Sequence, residues 1–330
     1  MKIVKIDPDG FLEDDLKIPA EILRKGGIVA FPTETVYGLG ANALDELAVK
    51  RIFLAKRRPP DNPLIVHVSS TDSIYRIAKP NRIAEKLIEE FFPGPLTLVM
   101  EKREVVPDVT TAGLKMVAVR MPDHRIALKL IELAGVPVSA PSANKSGKPS
   151  PTKAEHVIED FSDEIDCVVD GGKTEIGLES TVVDTTVYPL EILRPGAVTK
   201  EMIEEFFDVR EIRKAEIARS PGMKYRHYSP SADVLVLTGI NVRGEMLELA
   251  ERLRSSGKKP GLAAMQLGKI HDFPAYDLGK NLEEYAERLF DALRSLDRVC
   301  DVIIVEGVEE KGIGAAIMNR LSKAGRIYRV

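Results

Sequence analysis

Between Phe31 and Val68 the chain reads FPTETVYGLGANALDELAVKRIFLAKRRPPDNPLIVHV, and no other stretch limits the fold as tightly. An apolar run over 28–31 breaks at Pro32 into three hydroxyl side chains, Thr33, Thr35 and Tyr37. A glycine-rich turn is expected next, at Gly38-Leu39-Gly40. Leu44, Ala48, Ile52 and Ala55 then recur at helical spacing, which predicts a helix over 44–57 capped by Asn42 or Asp45. Pro59-Pro60 stops it, and an apolar strand over 64–68 completes a β-loop-α-β unit. Such a unit belongs to a layered α/β fold.

Five of the nine residues from 50 to 58 are basic: Lys50, Arg51, Lys56, Arg57 and Arg58. Cations near a helix C-terminus compensate its dipole, and that alone accounts for them. A polyphosphate site accounts for them equally, because arginine forks match phosphate oxygens and lysine supplies a point charge. The hydroxyl run before the helix would face such a site across a cleft.

The rest of the chain alternates strand and helix. Strands are expected over 2–6, 96–100, 116–120, 136–140, 168–170, 180–184 and 190–193, with helices over 14–25, 83–92 and 124–134 and a loop over 107–113. This rhythm predicts a mixed sheet covered by helices. It changes over 207–231, where SPGMKYRHYSP (220–230) reads as an interdomain linker. Apolar runs over 234–237, 261–265 and 302–305 alternate with helices over 242–255, 281–296 and 313–322, a small parallel α/β domain. The expected division is therefore 1–207, a linker over 208–231, and 232–330.

Composition excludes several classes. With 47 Lys and Arg against 51 Asp and Glu, the formal net charge is −4, so any nucleic-acid contact must come from a local patch. Cys167 and Cys300 stand alone, which excludes a zinc finger or a disulfide scaffold. The N-terminus lacks a signal-peptide core and no apolar run reaches about 18 residues, so a cytoplasmic protein without membrane contact is expected. CVVDGGKT (167–174) matches a P-loop only at GKT, because Cys167 stands where the first glycine is required. Gly307, Gly312 and Gly314 miss dinucleotide spacing.

Candidate groups remain. His67 shares a strand face with Ile65, as a core histidine or a functional one. Ser139-Ala140-Pro141-Ser142-Ala143-Asn144 is a turn or a nucleotide-binding loop. Glu179-Ser180-Thr181 and Arg194-Pro195-Gly196 put polar or basic groups at strand ends.

Together these segments form a known set. PTETVYGLG (32–40), KRRPPDNPL (56–64), FPGPLTLV (92–99), VAVRMP (117–122), SAPSAN (139–144), GLESTVVD (177–184) and LRPGAV (193–198) resemble, in order, the YrdC-like threonylcarbamoyl-AMP synthase family. SPGMKYRHYSP and the text over 310–324 resemble the linker and C-terminal domain of its two-domain branch. The resemblance implies an open, twisted mixed sheet around a concave, positively charged cavity, followed by a smaller Rossmann-like domain. It implies an enzyme, a nucleotidyltransferase that makes threonylcarbamoyl-adenylate from L-threonine, bicarbonate and ATP, with release of pyrophosphate and water. Mg²⁺ would bridge the phosphates. The product would pass to a tRNA threonylcarbamoyl transferase complex that modifies ANN-decoding tRNAs beside the anticodon; direct tRNA contact is allowed but not required.

By matched position, Thr35, His67, Arg120 and Ser180, with the backbone at Ala140, would form the threonine pocket. Lys56, Arg58, Asn62, Ser142, Asn144, Ser150 and Arg194 would take ATP, with Met116 contributing backbone and Tyr225, Arg226 and His227 closing over from the linker. Lys56 and Arg58 would be catalytic. No protein nucleophile is needed, because positioning and charge neutralisation suffice for in-line attack on a phosphate. A double-stranded RNA or tRNA-binding module, or a non-catalytic subunit of a tRNA-modifying complex, is the alternative. A hydrogenase-maturation carbamoyltransferase would need zinc-finger cysteines that the chain lacks.

Overall fold

A computed structural model describes residues 1–210, 228–268 and 272–330. Two compact units are present. One comprises Met1–Ser146, Pro151–Glu175 and the described residues of Glu179–Lys224. The other comprises Gly147–Ser150, Ile176–Leu178 and the described residues of Tyr225–Val330.

In the first unit the elements run β1 (Lys2–Lys5), α1 (Glu13–Arg24), β2 (Val29–Phe31), β3 (Gly38–Asn42), α2 (Glu46–Lys56), β4 (Ile65–His67), α3 (Thr71–Ile77), β5 (Ala78–Lys79), α4 (Arg82–Phe91) and β6 (Leu96–Lys102). They continue with α5 (Asp108–Thr111), β7 (Met116–Arg120), α6 (Arg125–Ala134), β8 (Val138–Ser139), α7 (Ala154–Phe161), β9 (Cys167–Asp170), β10 (Thr181–Asp184), β11 (Leu190–Arg194), α8 (Lys200–Glu204) and β12 (Val209–Arg210). The strands form one mixed sheet, ordered β1-β9-β2-β3-β8-β4-β7-β6-β10-β11-β12, with β5 beside β6.

The second unit carries β13 (Asp233–Thr238), α9 (Val242–Ser255), β14 (Pro260–Ala264), β15 (Ala275–Asp277), α10 (Leu282–Asp297), β16 (Val302–Glu306), α11 (Ile313–Ala324) and β17 (Arg326–Arg329). Its sheet, ordered β15-β14-β16-β13-β17, is parallel throughout. The two strands that the sequence does not announce, β15 and β17, are the two edges, and neither has an apolar run.

Three expectations are corrected. Gly38-Leu39-Gly40 is not a turn but part of β3, antiparallel to β2 with Phe31 opposite Gly38 and Val29 opposite Gly40. A Cβ on Gly40 would stand 2.7 Å from Phe31 Cε1 and 2.8 Å from Val138 Cγ1. The glycine therefore lets three strands close on one another. The turn is the hydroxyl run itself, and β8 separates β3 from β4, so the β-loop-α-β unit contains an extra strand. The expected loop over 107–113 holds the short helix α5, closed by Ala112 in the left-handed region at φ 52°. Its four polar and β-branched residues carry no helical periodicity. Finally, α2 starts at Glu46. Asp45 caps it, accepting from Leu47 N at 2.9 Å and Ala48 N at 3.2 Å. Leu44 lies outside it and packs with Val66 and Ile74, whereas Ala48, Ile52 and Ala55 face a different core.

The sheet around β4, β7, β6 and β10 is two-sided. Val66, Val117, Val119, Leu96, Leu98 and Val183 pack with Ile74 of α3 and Leu87 of α4. The opposite face has a much smaller apolar patch: Ile65, Val99, Ala118, Val182 and Leu193. Side chains alternate along a strand, so residues two apart share a face. Two residues beyond Ile65 is His67, and two beyond Ala118 is Arg120. Two before Val99 is Thr97, and two before Val182 is Ser180. One face of the sheet thus carries a polar row beside its apolar patch.

Candidate active site

Arg120 ends β7 and is nearly buried. Its Nη1 donates to Thr35 Oγ1 at 2.8 Å, and its Nε donates to Gly94 O at 3.2 Å. Its Nη2 lies 2.5 Å from Glu34 Oε2, an ion pair without the angles of a linear hydrogen bond. Gly94 precedes β6, and the other two partners of Arg120, Glu34 and Thr35, come from the β2–β3 turn. There Thr33 Oγ1 donates to Val36 O at 2.7 Å, which leaves the Thr35 hydroxyl to donate to Thr33 at 2.8 Å and to accept from Arg120. The turn is therefore locked by its own hydroxyls before it meets the arginine.

His67 pairs with Arg120 across the parallel strands β4 and β7 and stacks edge-on against Phe31, with ring centroids 6.5 Å apart. Burial first, then the charge of Arg120, pushes its pKa down to about 3. The ring is neutral at physiological pH, and its buried Nδ1 makes no hydrogen bond of normal geometry. Ser180 precedes β10. Its hydroxyl is 2.7 Å from Thr97 Oγ1 and accepts from Arg194 Nη2 at 3.0 Å, while Arg194 Nε donates to Ser180 O at 3.0 Å. Ala140 follows β8 and commits its N–H to Ile65 O at 2.9 Å.

The cationic side grows from the end of α2. Lys56 is 2% exposed, and its Nζ donates to Ser142 O and Asn144 O, each at 2.5 Å. Burial and the nearby charge of Arg58 hold its pKa well below the ordinary lysine value. The same loop is pinned to β3 and the residue before it: Leu39 N donates to Pro141 O at 2.8 Å, and Ala143 N donates to Tyr37 O at 2.7 Å. Ser142 Oγ donates to Asn144 Oδ1 at 2.6 Å. Arg58 folds back over the turn it begins, with Nη2 near Asn62 O at 3.3 Å and Pro63 O at 3.4 Å. Asn62 is buried.

The sequence-derived candidates therefore divide. Thr35, His67, Arg120, Ser180 and Arg194 meet through strand pairing and direct bonds. Lys56, Ser142 and Asn144 form a second cluster, joined to the first because Ala140 and Ser142 share one loop. Arg58 and Asn62 share the turn after α2. Met116 begins β7, at the opposite end of that strand from Arg120, and packs against the Ala118 patch. Ser150 is buried and belongs to the second compact unit. Tyr225, Arg226 and His227 lie outside the described residues. Two residues that sequence reasoning passed over belong to the arrangement: Glu34 on Arg120 and Thr97 on Ser180. The signal for Glu34 is its place inside the hydroxyl run; for Thr97 it is a lone hydroxyl in the apolar run over 96–100.

Comparison with known proteins agrees with this architecture. A model of the Sua5/YciO/YrdC family, described as "Telomere recombination", matches residues 21–196. A second, described as "Threonylcarbamoyl-AMP synthase, C-terminal domain", matches 198–325. The threonylcarbamoyl-AMP synthase of Pyrococcus abyssi is 54% identical over 96% of this chain and 95% of its own length. That of Bacillus subtilis is 45% identical over 94% and 93%. The crystal structure of P. abyssi Sua5 complexed with L-threonine superposes with a TM-score of 0.96 at 52% identity, covering 100% of both chains. Escherichia coli YciO shares the fold, with a TM-score of 0.55 at 24% identity over 59% of this chain and 96% of its own. The chain belongs to the Sua5/YciO/YrdC family, in the two-part form whose curated relatives are threonylcarbamoyl-AMP synthases.

Proposed function

We propose that the chain condenses L-threonine, bicarbonate and ATP into threonylcarbamoyl-adenylate, releasing pyrophosphate and water. The observation that carries this reading is Arg120. Thr35, Gly94 and Glu34 fix its orientation from three sides, which prepares its fork for a planar carboxylate. That the structure of a relative at 52% identity contains L-threonine supports the same assignment.

Around a threonine carboxylate held by Arg120, neutral His67 would lie beside the substrate hydroxyl. Ser180 would add a second polar contact. A ligand at Ala140 would meet its carbonyl, since the N–H serves Ile65. On the nucleotide side, Lys56 and Arg58 would neutralise the phosphates, with Ser142, Asn144, Asn62 and Arg194 around them. Ser150, Met116 and the linker residues Tyr225, Arg226 and His227 complete the proposed ATP set. The carbamate oxygen formed on threonine attacks the α-phosphorus, and pyrophosphate leaves in line. The protein contributes placement and charge.

Among the described residues no group of three His, Cys, Asp or Glu is arranged to hold a metal ion. Mg²⁺ would arrive with the nucleotide and would supply positive charge beside its phosphates. There it would share the neutralisation of the leaving pyrophosphate with Lys56 and Arg58.

The proposed division is a catalytic domain over 1–207, a linker over 208–231 and a C-terminal domain over 232–330. A cytoplasmic location and onward transfer of the adenylate to a tRNA-modifying complex belong to the same reading. No described helix is long and apolar enough to cross a membrane. The test is pyrophosphate release from purified protein with ATP and bicarbonate. It should depend on threonine and fall sharply with serine. An RNA-binding module or a silent subunit would show no such dependence.

A further inference from the structure

One carboxylate in the site, so far given only the orientation of Arg120, has no part in the chemistry above. Glu34 is 3% exposed and Arg120 4%. One oxygen of Glu34, Oε1, accepts the backbone N–H of Asp123 at 3.1 Å. The other, Oε2, lies on Arg120 Nη2 at 2.5 Å. The carboxyl group is thus anchored at one oxygen, while the other occupies an edge of the cation assigned to the substrate.

The proposed use of threonine and bicarbonate is the premise here. A substrate carboxylate arriving at Arg120 must share Nη2 with Oε2 or displace it. Two carboxylates then compete for one guanidinium. In an α-amino acid the nitrogen is bonded to the carbon that bears the carboxyl group. Seating that carboxylate on Arg120 brings the ammonium to the neighbourhood of Oε2.

We infer that Glu34 is a catalytic base that takes a proton from the α-ammonium of the bound threonine. The ammonium gives one proton to Oε2 and becomes an amine. The amine lone pair attacks the bicarbonate carbon, and a C–N bond forms. The C–O bond to the hydroxyl group breaks, and that hydroxide leaves as water with a second proton from nitrogen. Threonine carbamate results, and Glu34 returns its proton to solvent.

The groups around Glu34 do not supply the same chemistry. Arg120 is a permanent cation. His67 is pushed down to about 3, by burial and Arg120. His124, which caps α6, is pushed down to about 4, chiefly by burial, with Glu34 opposing and Arg120 assisting. Both rings are neutral, but the lowered pKa makes each a weak proton acceptor, and the Asp123 side chain is exposed.

The experiment compares the full-length wild-type chain with Glu34→Gln and Glu34→Asp. Threonine binding is followed by calorimetry, and threonine-dependent pyrophosphate release is followed from about pH 6.5 to about pH 9.5. Glutamine keeps an oxygen for Asp123 but takes no proton. It should bind threonine within about tenfold of wild type yet turn over about 100-fold or more slowly near neutrality. Its deficit should shrink by roughly tenfold per pH unit as free amine replaces the missing base. Aspartate, should the glutamine variant fail to fold, should be slower than wild type with the wild-type pH profile. Wild-type turnover in Glu34→Gln, parallel profiles for glutamate and glutamine, or a loss confined to threonine affinity would each overturn the assignment. Wild-type protein that releases no pyrophosphate with threonine would instead overturn the proposed reaction.

Discussion

His67 and Arg120 are cross-strand partners at the ends of the parallel strands β4 and β7, both buried, with an imidazole beside a guanidinium. Burial first, and then the neighbouring guanidinium, keep the ring neutral, since a protonated His67 would place a second charge in a poorly solvated interior.

Stability should therefore depend on acid in a defined window. Burial and Arg120 push folded His67 down to about 3, whereas the unfolded residue titrates near its ordinary value of 6.5. Between those values the unfolded chain binds a proton that the native chain refuses. Stability is level above about pH 6.5 and falls as pH drops, by up to about 1.4 kcal/mol per pH unit. His124 adds a similar loss between 6.5 and about 4. Urea midpoints across this range should show the slope, and His67→Gln should reduce it. An unchanged slope in that variant would mean that His67 is not held neutral.

Replacing Lys56 should separate two roles. Its ammonium anchors Ser142 and Asn144 through their carbonyls as well as meeting phosphate. Lys56→Met keeps most of the stem and removes the donor. Pyrophosphate release should fall by about 100-fold or more, and the free energy of unfolding should drop by about 1–3 kcal/mol for the carbonyls left unpaired. Arg58→Ala, at a turn rather than in the loop anchor, should cost comparable activity with less stability. Wild-type turnover in either variant would remove that residue from the catalytic set.

Gly196 should tolerate no side chain. A Cβ there would stand 2.4 Å from Thr181 N, 2.7 Å from Ser180 C and 2.8 Å from Glu179 O, all backbone atoms. Gly196→Ala must push Ser180 out of line with Arg194. The expected result is a loss of about 1–3 kcal/mol in stability and a raised KM for threonine. Thermal unfolding together with initial rates would check both.

Arg194 serves Ser180 with two different nitrogens, Nε to the carbonyl and Nη2 to the hydroxyl. Lysine presents one nitrogen and cannot reproduce that span. Arg194→Lys should therefore raise KM by about tenfold, equivalent to about 1.4 kcal/mol, with little change in the melting temperature. Initial-rate kinetics alongside a thermal melt would register the difference.

Much of this site is legible in the sequence, and the remainder is hidden for identifiable reasons. Alternation along 64–68 and 116–120 already puts His67 with Ile65 and Arg120 with Ala118. Their adjacency comes only from strand order, since 53 residues of chain position are irrelevant to which strands pair. Gly38 and Gly40 mislead because their neighbours, Phe31, Val138 and Ala140, act through space. Glu34 looks like a solvated turn residue until Arg120 arrives from β7. Lys56 looks like a dipole-compensating surface lysine, yet it is buried against two carbonyls of the serine loop.

The central claim is that one site holds the amino acid and the triphosphate together. A crystal structure of the full chain with L-threonine and a non-hydrolysable ATP analogue tests it most directly. The account requires the threonine carboxylate on Arg120, its hydroxyl at His67, and the phosphates among Lys56, Arg58, Ser142 and Asn144, with the α-phosphorus facing the amino group. Threonine and nucleotide bound at separate places, or a carboxylate that avoids Arg120, would contradict it.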